Sequence, residues 1–317
     1  MSLSICLLTK NNSKTIEKCL TSIFSIDCQI VIGDLGSTDD TLKICKKFNC
    51  DIYKIKWEKD FSKAKNKLIE KTKSKWIFFL EPWEFLVKGH DKIQLLNEED
   101  AASTAYLIQV MQNKNITKEV RIWNEDKSLK YKNPVHEHVD IQCSNLIPVV
   151  VFSQEIQNPK EKLEIVENWM KDSPTLSGPI YYKACNLLRM GEYEHFINEA
   201  NRYLFQEGQG KSVVMMKYYM AIVFLTHEKD YKKSIQQILP CLAVRPLMAE
   251  FWCLLADIYY QMKNYKKAKS LYLNGILMGE KRLSNDDWPV DITKYKEYPK
   301  KMISSCNKIL EETKVVY

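Results

Sequence analysis

Around "QNPKEK", residues 157 to 162, the hydrophobic period of the chain changes, and that change fixes what each half can fold into. Before it, short apolar runs alternate with amphipathic stretches. "LSICLLTK" reads as a strand, and "SKTIEKCLTSIF" spaces Ile16, Leu20, Ile23 and Phe24 as one helix face. "CQIVIGD", "CDIYKIKW" and "KWIFFLEP" are further strands, separated by helical "STDDTLKICKKF" and "FSKAKNKLIEKTK". This β-α-β-α-β-α-β order predicts a parallel sheet covered by helices. Candidate strands at "AYLIQVMQN", "EVRIWN" and "IPVVVFS" would add a mixed edge through hairpin-like pairing.

After the change the pattern is helical. "GEYEHF", "KDYKKS" and "KNYKKA" place Tyr193, Tyr231 and Tyr265 in a recurring phrase. The last two tyrosines lie 34 residues apart, as do Tyr218 and Trp252. Trp252, Leu255, Ala256, Tyr259, Ala268, Tyr272 and Gly275 fit the tetratricopeptide pattern, and Pro246 fits the proline that ends the middle unit. The first unit stands 38 residues before the second, a looser spacing. Two domains are expected, 1–155 and 160–317, the second a stack of helix pairs of the kind that holds a partner.

Composition narrows the function. The net charge of +7 comes from lysine spread along the chain without a nucleic-acid-binding motif, so solvated faces explain it and no nucleic-acid partner is expected. No apolar run approaches the ~20 residues that span a bilayer, and the N-terminus lacks a signal peptide's basic region and cleavage site, so a cytoplasmic location is expected. The ten cysteines form no CxxC pair, which predicts reduced thiols rather than a zinc or dithiol site. Oligomeric state is open, although exposed repeat faces often self-associate.

Chemistry concentrates at two places. "WIFFLEPWEFL" runs a buried strand into Glu81, Trp83 and Glu84, where open α/β sheets place ligands. "PVHEHV" groups His136, Glu137 and His138; on a strand the two histidines would face the same way. Asp34 ends the second strand at the carboxyl edge, Gly36 allows a sharp turn after it, and Ser37 to Asp40 carry an N-cap signature. Asp39 and Asp40 read better as capping and solvated residues than as ligands. Thr9, Lys10 and Asn11 end the first strand beside the second.

"SICLLTKNN", "IVIGDLGSTDDT", "FSKAKNKLIEKTKSKWIFFLEPWE" and "VRIWNEDKSLKYKNPVHEHV" occur in the order and spacing of family 2 glycosyltransferases. Residues 1 to 155 strongly resemble that family, and more narrowly its bacterial branch with C-terminal tetratricopeptide repeats, which includes peptide S-glycosyltransferases. The resemblance implies a GT-A-type α/β nucleotide-sugar domain followed by an all-α repeat domain. It further implies inverting transfer of a hexose or N-acetylhexosamine from a UDP-sugar to a protein, peptide or surface-glycan acceptor. Asp34 would accept from the uracil imide, and Thr9, Lys10, Asn11 and Gly36 would line the nucleotide pocket. Lys65 stands where the family has arginine; it either pairs with a phosphate or is a solvated helix lysine.

The family's acidic motif holds Mg²⁺ or Mn²⁺. Here Glu81 and Trp83 replace its two aspartates, leaving Glu81, Glu84 and His136 as the candidate ligands. Either the metal is kept by these groups or lysines neutralise the charge instead. Glu137 is the candidate general base, with His136 beside it as ligand or acceptor contact. The altered acids leave a rival reading, a non-catalytic glycosyltransferase-like scaffold acting through its repeats.

Overall fold

The computed structural model describes residues 3–96, 104–124, 129–139, 141, 145–154, 158–282, 286 and 288–315. The chain divides into two compact units: Met1–Asn158 with Asp287–Pro289, and Pro159–Asp286 with Val290–Tyr317. Cys143 and part of the "SQEIQNP" stretch lie outside the described residues.

In the first unit β1 (Leu3–Thr9), β2 (Gln29–Asp34), β3 (Asp51–Lys54) and β4 (Trp76–Leu80) form the parallel half of a sheet. The helices α1 (Ile16–Ile23), α2 (Thr41–Lys47) and α3 (Phe61–Ile69) connect them. Every residue of β1 and β4 is buried, as expected of strands covered on both faces. Alternation splits them between two cores. Leu3, Ile5 and Leu7 pack with Ile16, Leu20 and Ile23 of α1, while Cys6, Leu8 and Phe79 pack with Ala64 and Leu68 of α3. Phe24 is not part of the first core; it is 67% exposed, edge-on to Phe48, and Cys19 is buried on the α1 face instead.

The sequence pattern does not show β5 (Glu84–Lys88), directly after the acidic tip, or α4 (His90–Leu95). Next come β6 (Ala105–Gln112), β7 (Asn115–Asn124), the short pair β8 (Tyr131–Lys132) and β9 (His138–Val139), and β10 (Leu146–Ser153). The main sheet runs β3-β2-β1-β4-β7-β6-β10-β5. β6 and β7 form the expected hairpin, but β10 lies parallel to β6 and antiparallel to β5, so the mixed edge is only partly hairpin-paired.

The second unit is helical: α5 (Pro159–Asp172), α6 (Ser177–Met190), α7 (Tyr193–Gln206), α8 (Lys211–Val223), α9 (Tyr231–Val244), α10 (Ala249–Gln261), α11 (Tyr265–Gly279) and α12 (Glu297–Val315). The three recurring phrases are one joint repeated. Gly191, Lys229 and Lys263 have left-handed backbones at φ 78°, 55° and 60°, each two residues before the tyrosine that opens α7, α9 or α11. At the intervening position Asp230 and Asn264 accept from the amides of Lys233 and Lys267, capping α9 and α11. The longer first spacing has a local origin. Tyr218 is the eighth residue of α8, whereas Trp252 is the fourth of α10, so α8 starts four residues early. Trp252 donates to the Pro246 carbonyl at 2.7 Å, and a Cβ on Gly275 would come within 3.2 Å of the Trp252 Cβ. No helix among the described residues is long and apolar enough to cross a membrane.

Candidate active site at the carboxyl edge of the sheet

The loops after β1 and β2 are laced into one rim. Asn11, at φ 56°, donates its amide to Ser37 Oγ, and its Oδ1 accepts from the Thr38 amide at 2.8 Å. Asn12 donates to Thr41 Oγ1, and Ser13 to Asp39. Asp39 also accepts from the Thr41 amide. Burial would raise the Asp39 carboxyl, but the bonds from Thr41 and Ser13 outweigh it and hold the group well below its ordinary range. Asp39 is thus a brace between loops. The Ser37 to Asp40 capping pattern is not formed: α2 begins at Thr41, Asp40 makes no side-chain cap bond, and Ser37 serves Asn11.

Asp34 is 3% exposed, and its two oxygens accept from the amides of Gly36 and Ser37 at 3.2 and 2.9 Å. Gly36 sits at φ 100°, where a side chain would strain the backbone although the surrounding space is open. The Thr9 carbonyl accepts from Leu35, and its buried hydroxyl reaches Asn12. Lys10 and Asn11 are exposed at the rim.

Beside this rim lies a charged cluster drawn from four segments. Lys65, on α3, is 3% exposed. Its Nζ is 2.6 Å from Glu81 Oε1 and 2.8 Å from Glu137 Oε1. The rings of Phe79 and Tyr131 flank it, with centroids at 4.5 and 4.9 Å. Burial alone would lower this ammonium; Glu137 and Glu81 more than reverse that and hold it above its ordinary value. Lys65 is therefore not a solvated lysine: its buried ammonium is the centre of an ion triad with half-buried Glu81 and Glu137.

Glu84 opens β5, buried, with Oε2 accepting the Glu81 amide at 2.9 Å and Oε1 on Arg121 Nη2 at 3.0 Å. Arg121, on β7, also pairs with Glu119 at 2.8 Å and lies 3.8 Å from Glu81. Burial lifts Glu84 to about 7, with the Arg121 charge opposing it.

The "PVHEHV" stretch is a turn, not a strand. Only His138 and Val139 are in β9, and His136 has φ 53°, so the predicted alternation does not apply. His136 is half-buried, its Nε2 wholly so, and exposed His138 meets Asn133 at 3.3 Å. Asn66 Oδ1 accepts from the Tyr131 amide at 2.8 Å and its Nδ2 donates to the Tyr131 carbonyl at 3.0 Å; with the bond from the Phe61 amide to the Pro134 carbonyl, they clamp this hairpin onto α3. They bring Glu137 to Lys65.

The predicted metal ligands Glu81, Glu84 and His136 do not fit a divalent ion as they stand. Glu81 is held by Lys65, and both Glu84 oxygens are engaged by Arg121 and a backbone amide. Trp83 offers no oxygen ligand on its side chain. Among the described residues no group of three or more His, Cys, Asp and Glu is arranged to hold a metal. Sequence reasoning quoted Arg121 only as part of a motif and passed over Asn66. A helix-interior asparagine, a poor helix former with a side chain suited to backbone bonds, was the available signal for the latter.

Residues 4–82, which supply β1 to β4 and Glu81, match the family model for Glycosyl transferase family 2. The chain carries a family 2 glycosyltransferase domain at its N-terminus. Over 80 residues, 24% of this chain, it is 41% identical to the SPbeta prophage-derived glycosyltransferase SunS of Bacillus subtilis, and the aligned stretch spans only 18% of SunS. A TPR repeat-containing protein of Synechococcus elongatus is 23% identical over 141 residues, 43% of this chain and 35% of that protein. Among solved structures, S. aureus TarS 1-349 covers 97% of this chain and 92% of its own at 12% identity and a TM-score of 0.38. MamA from Desulfovibrio magneticus RS-1 covers 49% and 82%, at 17% identity and the same TM-score. At these scores neither structure speaks to function.

Proposed function

We propose that this chain is an inverting glycosyltransferase that moves a hexose or N-acetylhexosamine from a UDP-sugar to a protein, peptide or surface-glycan precursor. The observation that carries the reading is the meeting of Glu81, Lys65 and Glu137 beside the laced β1–β2 rim, inside a domain with the family 2 signature. Thr9, Lys10, Asn11, Asp34 and Gly36 form the nucleotide side. Asp34 already holds its own loop, so it would read a uracil imide with the lone pairs its two backbone bonds leave over.

In the transfer, an acceptor hydroxyl or thiol attacks the anomeric carbon from the face opposite the diphosphate. The bond from that carbon to the β-phosphate oxygen breaks, and UDP leaves with the bonding pair. Glu137 takes the acceptor's proton. His136, next in the same turn, would contact the acceptor through its half-buried ring. The helical repeats supply an acceptor surface.

A panel of UDP-sugars, read by UDP release with and without a cysteine-containing peptide, tests this. Turnover of one donor, reduced about 100-fold or more in Glu137→Gln, is the expected result. No turnover of any donor and no nucleotide binding would instead favour the scaffold reading.

A further inference from the structure

Lys65 is where the acids of this site meet. Glu81 follows β4 and Glu137 lies in the β8–β9 turn, and one ammonium bridges them at 2.6 and 2.8 Å. A divalent ion in such a site would occupy the same kind of point, between carboxylates brought by different elements. Resting on the nucleotide-sugar reading above, we propose that Lys65 is the resident cation of the site. It clamps Glu81 and Glu137 in place of a divalent ion, so that the nucleotide diphosphate binds without metal.

Three observations carry this. The ammonium is enclosed, its side chain 4% exposed, and a metal taking its place between the two carboxylates would have to expel a buried, doubly paired charge. The faces of Phe79 and Tyr131 also flank it, and they attract an organic cation. Mg²⁺ and Mn²⁺ want hard oxygen instead, and ring faces offer none. Finally, Arg121 occupies buried Glu84, approaches half-buried Glu81 and also pairs with Glu119, which is 41% exposed at the rim, so each acid of the cluster already has a fixed organic cation beside it. The diphosphate would then find its charge partner on exposed residues such as Lys10.

Lys65 is thus a positioning residue, and its test needs more than loss of function. Calorimetric titration with UDP should give the same affinity in EDTA and in Mn²⁺, within about twofold. Mn²⁺ alone should show no binding that Glu81→Gln removes. Lys65→Met should weaken UDP by about tenfold or more, and Lys65→Arg, which keeps the charge, should restore it to within about threefold. Thermal unfolding of each variant separates misfolding from lost positioning. UDP binding only with Mn²⁺, or Mn²⁺ binding by the wild type that depends on Glu81, would overturn the proposal. So would equal UDP affinity in folded Lys65→Met. Absence of UDP binding under both conditions would overturn the nucleotide-sugar reading itself, and this proposal with it.

Discussion

The buried charges set what single residues can tolerate. Removing the Lys65 ammonium leaves Glu81 and Glu137 facing each other without a shared cation, so Lys65→Ala should cost about 3–5 kcal/mol in denaturant unfolding. Glu84 carries a pH signature. Burial raises it to about 7 from an ordinary 4.5, so between those values the folded chain holds a proton that the unfolded chain has released. Its contribution to stability is therefore most favourable below about 4.5 and declines as pH rises through about 7. Thermal midpoints taken across that window should fall less steeply for Glu84→Gln than for the wild type. At this scale the sequence named most of the participants but not their partnerships. Asp34 and Glu81 were legible from their places at the ends of strands, and Glu137 from the family resemblance of its stretch. Lys65 read as either a phosphate partner or a solvated lysine, because its two acids lie 16 and 72 positions away in the chain and only the fold brings them close.

Elements were legible in proportion to their periodicity. The parallel strands and the repeat helices announce themselves, whereas β5 begins inside a motif that reads as a ligand tip, and the turn at His136 hides behind an apparent alternation. The repeat joint supports two predictions. Asp230→Ala should cost about 1 kcal/mol in equilibrium unfolding, through loss of the bond to the Lys233 amide. Lys229, left-handed at φ 55°, should accept glycine without loss, unlike the exposed helix-interior Gln236, where glycine should cost roughly 1 kcal/mol. The thiols belong here too, since most lie on packed faces. Burial pushes Cys28 and Cys50 up to about 12, so native-state alkylation near neutral pH should be slow at both and should accelerate sharply in denaturant.

Across the whole molecule, the period change near residue 157 falls where the two compact units part, at Asn158 and Pro159. Each unit has its own hydrophobic clusters, and the charged cluster and the laced rim belong entirely to the first. Which sugar and which acceptor are used was not legible, because both depend on surface shape that no spacing encodes. The location of the nucleotide site is the central claim, and hydrogen–deuterium exchange in the presence and absence of UDP tests it most directly. Slower exchange at residues 9–13, 34–41, 81–84 and 129–139, with the repeat helices α6 to α11 unchanged, is the predicted result. Slower exchange confined to the repeat helices, or none anywhere under saturating UDP, would contradict it.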